Sequence, residues 1–121
     1  MDLGIKGKTA IVCASSQGLG YGCAEALAQA GVDLVICARN KDKLHKAEKK
    51  LSNCGVGVIP VCCDVTSESG KEMLLEACSE PDILINNAGG PPPGVWSDWS
   101  REDFISALDS NMISPITLIK K

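Results

Sequence analysis

At 121 residues, 45% apolar and 22% charged with a net charge of −3, the chain has room for one domain and not two. By surface scaling a fold of this size hides roughly two-thirds of the surface its unfolded chain exposes, so a true core is within reach and disorder is not expected. A weakly acidic chain with 3% aromatic residues gives a nucleic acid little to bind, Met1-Asp2-Leu3-Gly4 opens no signal peptide, and no apolar run approaches the roughly 20 residues that span a bilayer; a cytoplasmic protein with no nucleic-acid or membrane partner is the expectation.

Residues 9–13 (Thr-Ala-Ile-Val-Cys) are short and apolar and predict a buried strand. Residues 18–30, rich in Ala and Leu and closed by Gly31, predict a helix. Residues 33–37 predict a second strand. Residues 42–52 predict a charged helix that buries Leu44, Ala47 and Leu51 and turns Lys41, Lys43, Lys46, Lys49 and Lys50 to solvent, with His45 a surface residue. A third strand over 57–63 ends at Asp64, a third helix covers 67–78, and a fourth strand over 82–86 runs into Asn86-Asn87-Ala88-Gly89. Residues 90–100, with Pro91, Pro92 and Pro93, predict a loop. Ser100 with Asp103 reads as a near capping box for a helix running from Arg101 towards the chain end. Four consecutive βα units predict an α/β fold with a doubly wound parallel sheet, right-handed crossovers and helices on both faces, one domain over residues 1–121.

The seven cysteines show no CxxC spacing, and Cys13, Cys37 and Cys62 stand in apolar runs, so buried reduced thiols and no metal are expected; the Cys62-Cys63 pair is the one place to look for redox behaviour. Two phosphate motifs fail. Gly7-Lys8-Thr9 precedes its strand and lacks the earlier glycine of a P-loop, and Cys23 occupies the third glycine of a Gly-x-Gly-x-x-Gly fingerprint. The turn after the first strand, Ala14-Ser15-Ser16-Gln17-Gly18-Leu19-Gly20, still has the composition of a phosphate cradle. Glycines allow close approach, Ser15 and Ser16 carry hydroxyls, and a helix N-terminus follows. A glycine-bearing turn without a ligand is the other reading.

The glycine placement resembles the Thr-Gly-x-x-x-Gly-x-Gly segment of the short-chain dehydrogenase/reductase family. Cys13 and Ala14 stand for its Thr and first Gly, and Gly18 and Gly20 match. Asn86-Asn87-Ala88-Gly89 is similar to the family's second signature, Asp64-Val65 to its acidic residue after the third strand, and Asn111 falls at its catalytic asparagine. The resemblance covers residues 8–121 and implies a Rossmann-like sheet, incomplete at four βα units. It implies that Ser15, Ser16, Gln17 and Leu19 wrap phosphates and ribose, that Asp64 accepts from the adenine amino group beside Val65, and that Asn87, Ala88 and Gly89 follow the ribose region. The extra methyl of Ala14 is expected to be tolerated if φ is negative there.

The second strand ends Cys37-Ala38-Arg39-Asn40, with no carboxylate for a ribose 2′-OH, so Arg39 points to NADP(H) over NAD(H); an Arg39 that only stacks on adenine or faces water is the alternative. Pro115 has no N–H to offer the Asn111 carbonyl, which the resemblance makes a holder of a relay water; a plain kink is the other reading. The family's proton donor is a tyrosine with a lysine four residues on. Here the single tyrosine, Tyr21, lies beside the phosphate turn and is followed at that spacing by Glu25. The resemblance therefore implies an NADP(H)-dependent oxidoreductase that reduces carbonyls or oxidises alcohols as a homo-oligomer. This chain would be its cofactor half, inactive alone, the catalytic Ser and Tyr-x-x-x-Lys falling after residue 121. The competing expectation is a non-catalytic short form that binds nucleotide or another protein. Trp96 and Trp99 are expected to pack on the sheet edge or to cap a site.

Overall fold

Strand β1 (Thr9–Val12) sits inside a four-stranded sheet of order β3-β2-β1-β4, with β2 at Asp33–Ala38, β3 at Val58–Cys62 and β4 at Ile83–Ile85. All three pairings are parallel, in registers that set Val12 opposite both Ile36 and Ile85. The structure, a computed structural model, describes residues 2–89 and 93–121. The helices are α1 (Gly18–Gln29), α2 (Lys41–Ser52), α3 (Glu68–Ala77), α4 (Arg101–Leu108) and α5 (Ser114–Lys120).

Alternation along the strands builds two cores. Ala10, Val12, Leu34 and Ile36 face Ala24 and Ala28 of α1 and Leu44, Ala47 and Leu51 of α2. Ile11, Cys13, Val35, Cys37, Val61 and Cys63 face Leu74 of α3 and Leu118 of α5. The sheet is covered on both faces, as a doubly wound α/β fold requires. The chain lays β2 and β3 on one side of β1 and then returns to place β4 on the other, so strand order reverses between β1 and β4. In such sheets that reversal opens a crevice beyond the carboxyl ends of the strands.

Local chemistry explains most helix starts. Asn40 Oδ1 accepts from the Lys43 N–H at 3.0 Å, Ser67 Oγ from the Gly70 N–H at 2.9 Å, and Ser100 with Asp103 forms a complete capping box. The expectation of one helix from Arg101 onward is corrected: α4 and α5 are separated by a π-helical segment, Asp109–Ile113, in which the Ser114 N–H donates to Asp109 O. Pro115 lies in the first turn of α5. In an unbroken α-helix its ring would press on the Asn111 carbonyl four residues back, and the wider π turn relieves that clash. The α4 helix buries none of its residues, and Ile105, Leu108, Met112, Ile116 and Ile119 remain between 44% and 66% exposed. Trp99 packs edge-on against Phe104 of α4, ring centres 5.7 Å apart, rather than on the sheet edge, and Trp96 is exposed. Gly90, Pro91 and Pro92 of the expected loop lie outside the described residues.

Candidate functional site

The crevice at the β1/β4 switch is built from the backbone outward. After β1 the Cys13 N–H still donates to Ile85 O at 3.0 Å, and then the chain turns at Ala14 with φ +49°. The condition on which the Ala14 methyl was expected to be tolerated, a negative φ, is thus not met. The turn needs the left-handed region here, which costs an L-residue about 1–2 kcal/mol. The two glycines serve different needs. Gly18 has φ +65° with open space around it. Gly20 has no room, because a Cβ there would collide with the Ala14 carbonyl and lie 2.9 Å from Asn87 Nδ2. Helix α1 starts at this point with an extended Gln17, no side-chain cap and no acidic residue in its first turn. Its first N–H groups and its positive dipole end therefore face the crevice uncompensated by the chain's own side chains, an arrangement suited to an anion.

The two serines of the turn part company. Ser15 is fully buried; its Oγ donates to Val12 O at 2.8 Å and accepts the Cys37 N–H at 3.2 Å. The expected hydroxyl donor is thus committed to the sheet, and Ser15 positions the turn. Ser16 is half-buried, and Leu19 stands 84% exposed on the first turn of α1.

Opposite, Asn87 Nδ2 donates to Ala14 O at 3.4 Å, joining residues 73 apart in sequence. Asn87 and Ala88 are half-buried and Gly89 is exposed. Asn111, in the π segment, donates from Nδ2 to Ala107 O at 3.0 Å and to Gly89 O at 3.4 Å. The turn, the loop after β4 and the π segment are thus tied by the amides of Asn87 and Asn111.

The far wall carries Asp64 and Arg39. Asp64 Oδ1 accepts from Thr66 Oγ1 at 2.6 Å and from the Thr66 N–H at 2.9 Å. Those donors, the hydroxyl first, hold the carboxyl below the ordinary aspartate range, with smaller help from the charges of Arg39 and Lys71. Lys71 is buried and anchors this corner by donating from Nζ to Thr66 O at 3.2 Å. Val65 packs half-buried on the second core. Arg39 is exposed, and its carbonyl lies 3.5 Å from Cys62 Sγ.

Beneath the cradle the strands bring Cys13, Cys37 and Cys63 together in the second core. Cys37 Sγ donates to Val12 O at 3.9 Å, and the neighbouring Cys13 and Cys37 thiols act on each other so that Cys13 is lowered and Cys37 is pushed up to about 12. The expectation of a buried Cys62 is corrected: on β3 Val61 points inward, so Cys62 points out and Cys63 in. Tyr21 is half-buried on α1, and burial and then Glu25 raise its hydroxyl pKa. His45 is a surface residue, 3.2 Å from Glu48.

The lysines of α2 are exposed, as a solvated face requires, and three of them also border the turn. Lys43, Lys46 and Lys50 line a groove together with Ser16, Gln17 and Gly18. The signal available in the sequence was their spacing of three and four, which puts all three on one helix face. Among the described residues no cluster of His, Cys, Asp or Glu is arranged to hold a metal ion, and no helix is long and apolar enough to cross a membrane.

A family model described as short chain dehydrogenase matches residues 8–121. The chain belongs to the short-chain dehydrogenase family. Its relatives include the uncharacterized oxidoreductase YvaG of Bacillus subtilis, 30% identical over all of this chain and 47% of that protein, and a tropinone reductase homolog of Datura stramonium, 31% identical over 88% and 42%. Among solved structures, L-sorbose reductase from Gluconobacter frateurii, complexed with NADPH and L-sorbose, superposes with a TM-score of 0.92 at 32% identity, covering 99% of this chain and 48% of that one. A 7α-hydroxysteroid dehydrogenase complexed with NADH gives a TM-score of 0.86 at 30% identity. The chain spans about half the length of the curated relatives it matches. The four-stranded parallel sheet with helices on both faces is the Rossmann-like fold of this oxidoreductase family.

Proposed function

We propose that this short-chain dehydrogenase chain supplies the dinucleotide-binding portion of a cytoplasmic oxidoreductase that reduces small-molecule carbonyls or oxidises alcohols with NADP(H). The observation that carries the reading is the pairing of an uncapped α1 N-terminus with the closed approach of Ala14, Gly20 and Asn87, a cradle that leaves backbone where side chains would otherwise stand. A solved relative complexed with NADPH and another described as an NADPH dependent reductase support the cofactor class, and one complexed with NADH keeps NAD(H) as the competitor.

In this reading the α1 N–H groups and Ser16 hold the pyrophosphate, and Ser15 keeps the turn in place from below. Asp64 accepts from the adenine amino group, its low pKa keeping it an acceptor at neutral pH. Asn87, Ala88 and Gly89 line the ribose path. When bound, the nicotinamide supplies the hydride. Asn111 contributes to proton movement by fixing a water at its backbone carbonyl, while its side chain, tied to Gly89 O and Ala107 O, holds the helix in register. The tyrosine–lysine pair that completes the family's chemistry is not among these 121 residues: the single tyrosine, Tyr21, is four residues from Glu25. The chain by itself is expected to bind cofactor and not to turn over. The exposed apolar side chains of α4 and α5 support assembly into a homo-oligomer.

Titration with NADPH and NADH tests the reading. Tighter NADPH binding is expected, equal dissociation constants would remove the NADP(H) preference, and absence of binding by either would remove the dinucleotide site. Clear turnover of a ketone panel with NADPH would overturn the predicted inactivity.

A further inference from the structure

Among the described residues one buried side-chain oxygen has no hydrogen-bond partner, the hydroxyl of Ser114. Ser114 is 3% exposed, and Leu118, one turn further along α5, enters the second core, so this face of the helix meets the sheet and not solvent. A serine or threonine inside a helix can satisfy itself on the carbonyl four residues back. Thr117 does so, donating from Oγ1 to Ile113 O at 2.8 Å. Ser114 makes no equivalent bond to Ser110 O, and a buried hydroxyl left unpaired is destabilising.

The backbone is short of donors at the same place. In an α-helix the Ser110 carbonyl accepts from the Ser114 N–H, but that N–H goes to Asp109 O across the π segment. In a π-helix its donor is residue 115, and Pro115 has no N–H. The Asn111 carbonyl loses its α-helical donor to the same proline. Two carbonyls without these donors and one hydroxyl without an acceptor thus lie within a single turn. One water molecule closes the set. Its two hydrogens go to the carbonyls, and its oxygen accepts from the Ser114 hydroxyl. Three such bonds are what a buried water typically makes, and a water set into the helical ladder accompanies a break in it.

We infer that the π segment holds a buried water between Ser110 O, Asn111 O and Ser114 Oγ, and that through this water Ser114 is a positioning residue for Asn111. This deepens the proposed role of the Asn111 carbonyl in proton movement and rests on that reading for the water's use in catalysis. The water site itself stands on Ser114 and Pro115. The Asn111 side chain is already fixed to Gly89 O and Ala107 O. The water adds a hold on its backbone, from the side of the helix that faces the sheet.

The test compares the full chain with Ser114→Ala and Pro115→Ala. Water-selective Overhauser spectra of the parent are expected to show a long-lived water at the amides of residues 110–114. Ser114→Ala removes one anchor, and Pro115→Ala supplies an N–H that competes for the carbonyls; both are expected to lose the cross-peaks. Pro115→Ala keeps the Ser114 hydroxyl, so a loss there assigns the signal to water and not to hydroxyl exchange. The Asn111 carbonyl carbon is expected to shift upfield in Ser114→Ala while that of Asn87 stays in place. Urea midpoints separate a water-holding hydroxyl from a bare one. Alanine relieves an unsatisfied buried group and raises the midpoint, whereas it breaks a satisfied one and lowers it; a lower midpoint is expected. Absence of the cross-peaks in the parent, which needs no variant to fold, overturns the inference. So does their survival in either variant, or a midpoint that does not fall in Ser114→Ala. If the water is present and neither NADPH nor NADH binds, the dinucleotide reading falls and the water site stands. If a nucleotide binds and the water is absent, the water site falls alone.

Discussion

Ser15 and Cys37 continue the β1–β2 ladder past the end of β1. The Ser15 N–H donates to Cys37 O at 2.9 Å, and the Cys37 N–H donates to Ser15 Oγ at 3.2 Å. A side chain thus stands in for the backbone carbonyl that the turn has carried away, and the second hydrogen bond of the hydroxyl goes to Val12 O. Replacing Ser15 by Ala orphans a buried N–H, and a loss of about 1–3 kcal/mol is expected. The urea midpoint measures it; an unchanged midpoint would refute the positioning role.

Ala14 and Gly20 face each other across the turn with opposite tolerances. Ala14→Gly removes a left-handed alanine, and against the added freedom of the unfolded chain a net gain of up to about 1 kcal/mol is expected. Gly20→Ala drives a methyl into the Ala14 carbonyl. Overpacking against backbone is expected to cost about 3 kcal/mol. The two changes are checked by thermal and urea unfolding, and NADPH affinity is expected to fall with Gly20→Ala.

Asp64 makes the fold acid-sensitive. Its folded pKa is depressed, so its contribution to stability is full above the unfolded value near pH 4 and is lost as pH falls through the folded pKa. Thr66→Val deletes the strongest donor and keeps the backbone one. The variant is expected to be less stable than the parent at neutral pH, with the gap closing as pH falls below about 4. Carboxyl titration by NMR is expected to move Asp64 upward; a gap independent of pH would separate the stability loss from this carboxylate.

The thiols are expected to fall into classes. Cys23, Cys54 and Cys62 are exposed and react rapidly with an aromatic disulfide reagent; Cys13, Cys37 and Cys63 are buried and react on unfolding, with Cys78 between them. Mass-mapped labelling over time reads the order. Rapid labelling of Cys63 ahead of Cys62 would contradict the register of β3.

The strands and the first three helices were legible because their signals are local. Apolar runs bounded by Gly31, Asp64 and Asn86, and a cap such as Ser100 with Asp103, need no distant partner to act. Cys62 and Cys63 were misordered because a continuous apolar run hides the period of two, and only the sheet shows which side is inside. The π segment was illegible because it is a compromise between helix continuation and the ring of Pro115, and propensity reads each residue apart.

By itself the sequence determined the βα alternation, the turn composition and the two asparagine positions, and with them the family. The tertiary structure alone decided which polar groups remain free for a ligand. Ser15 was taken by Cys37, Ala14 was forced to positive φ, and the exposed Lys43, Lys46 and Lys50 were set along a groove beside the turn. The reason is that availability is a property of what packs opposite. Hydrogen-bond partners 22 residues apart, and a helix wall facing a turn, meet only when the sheet has formed.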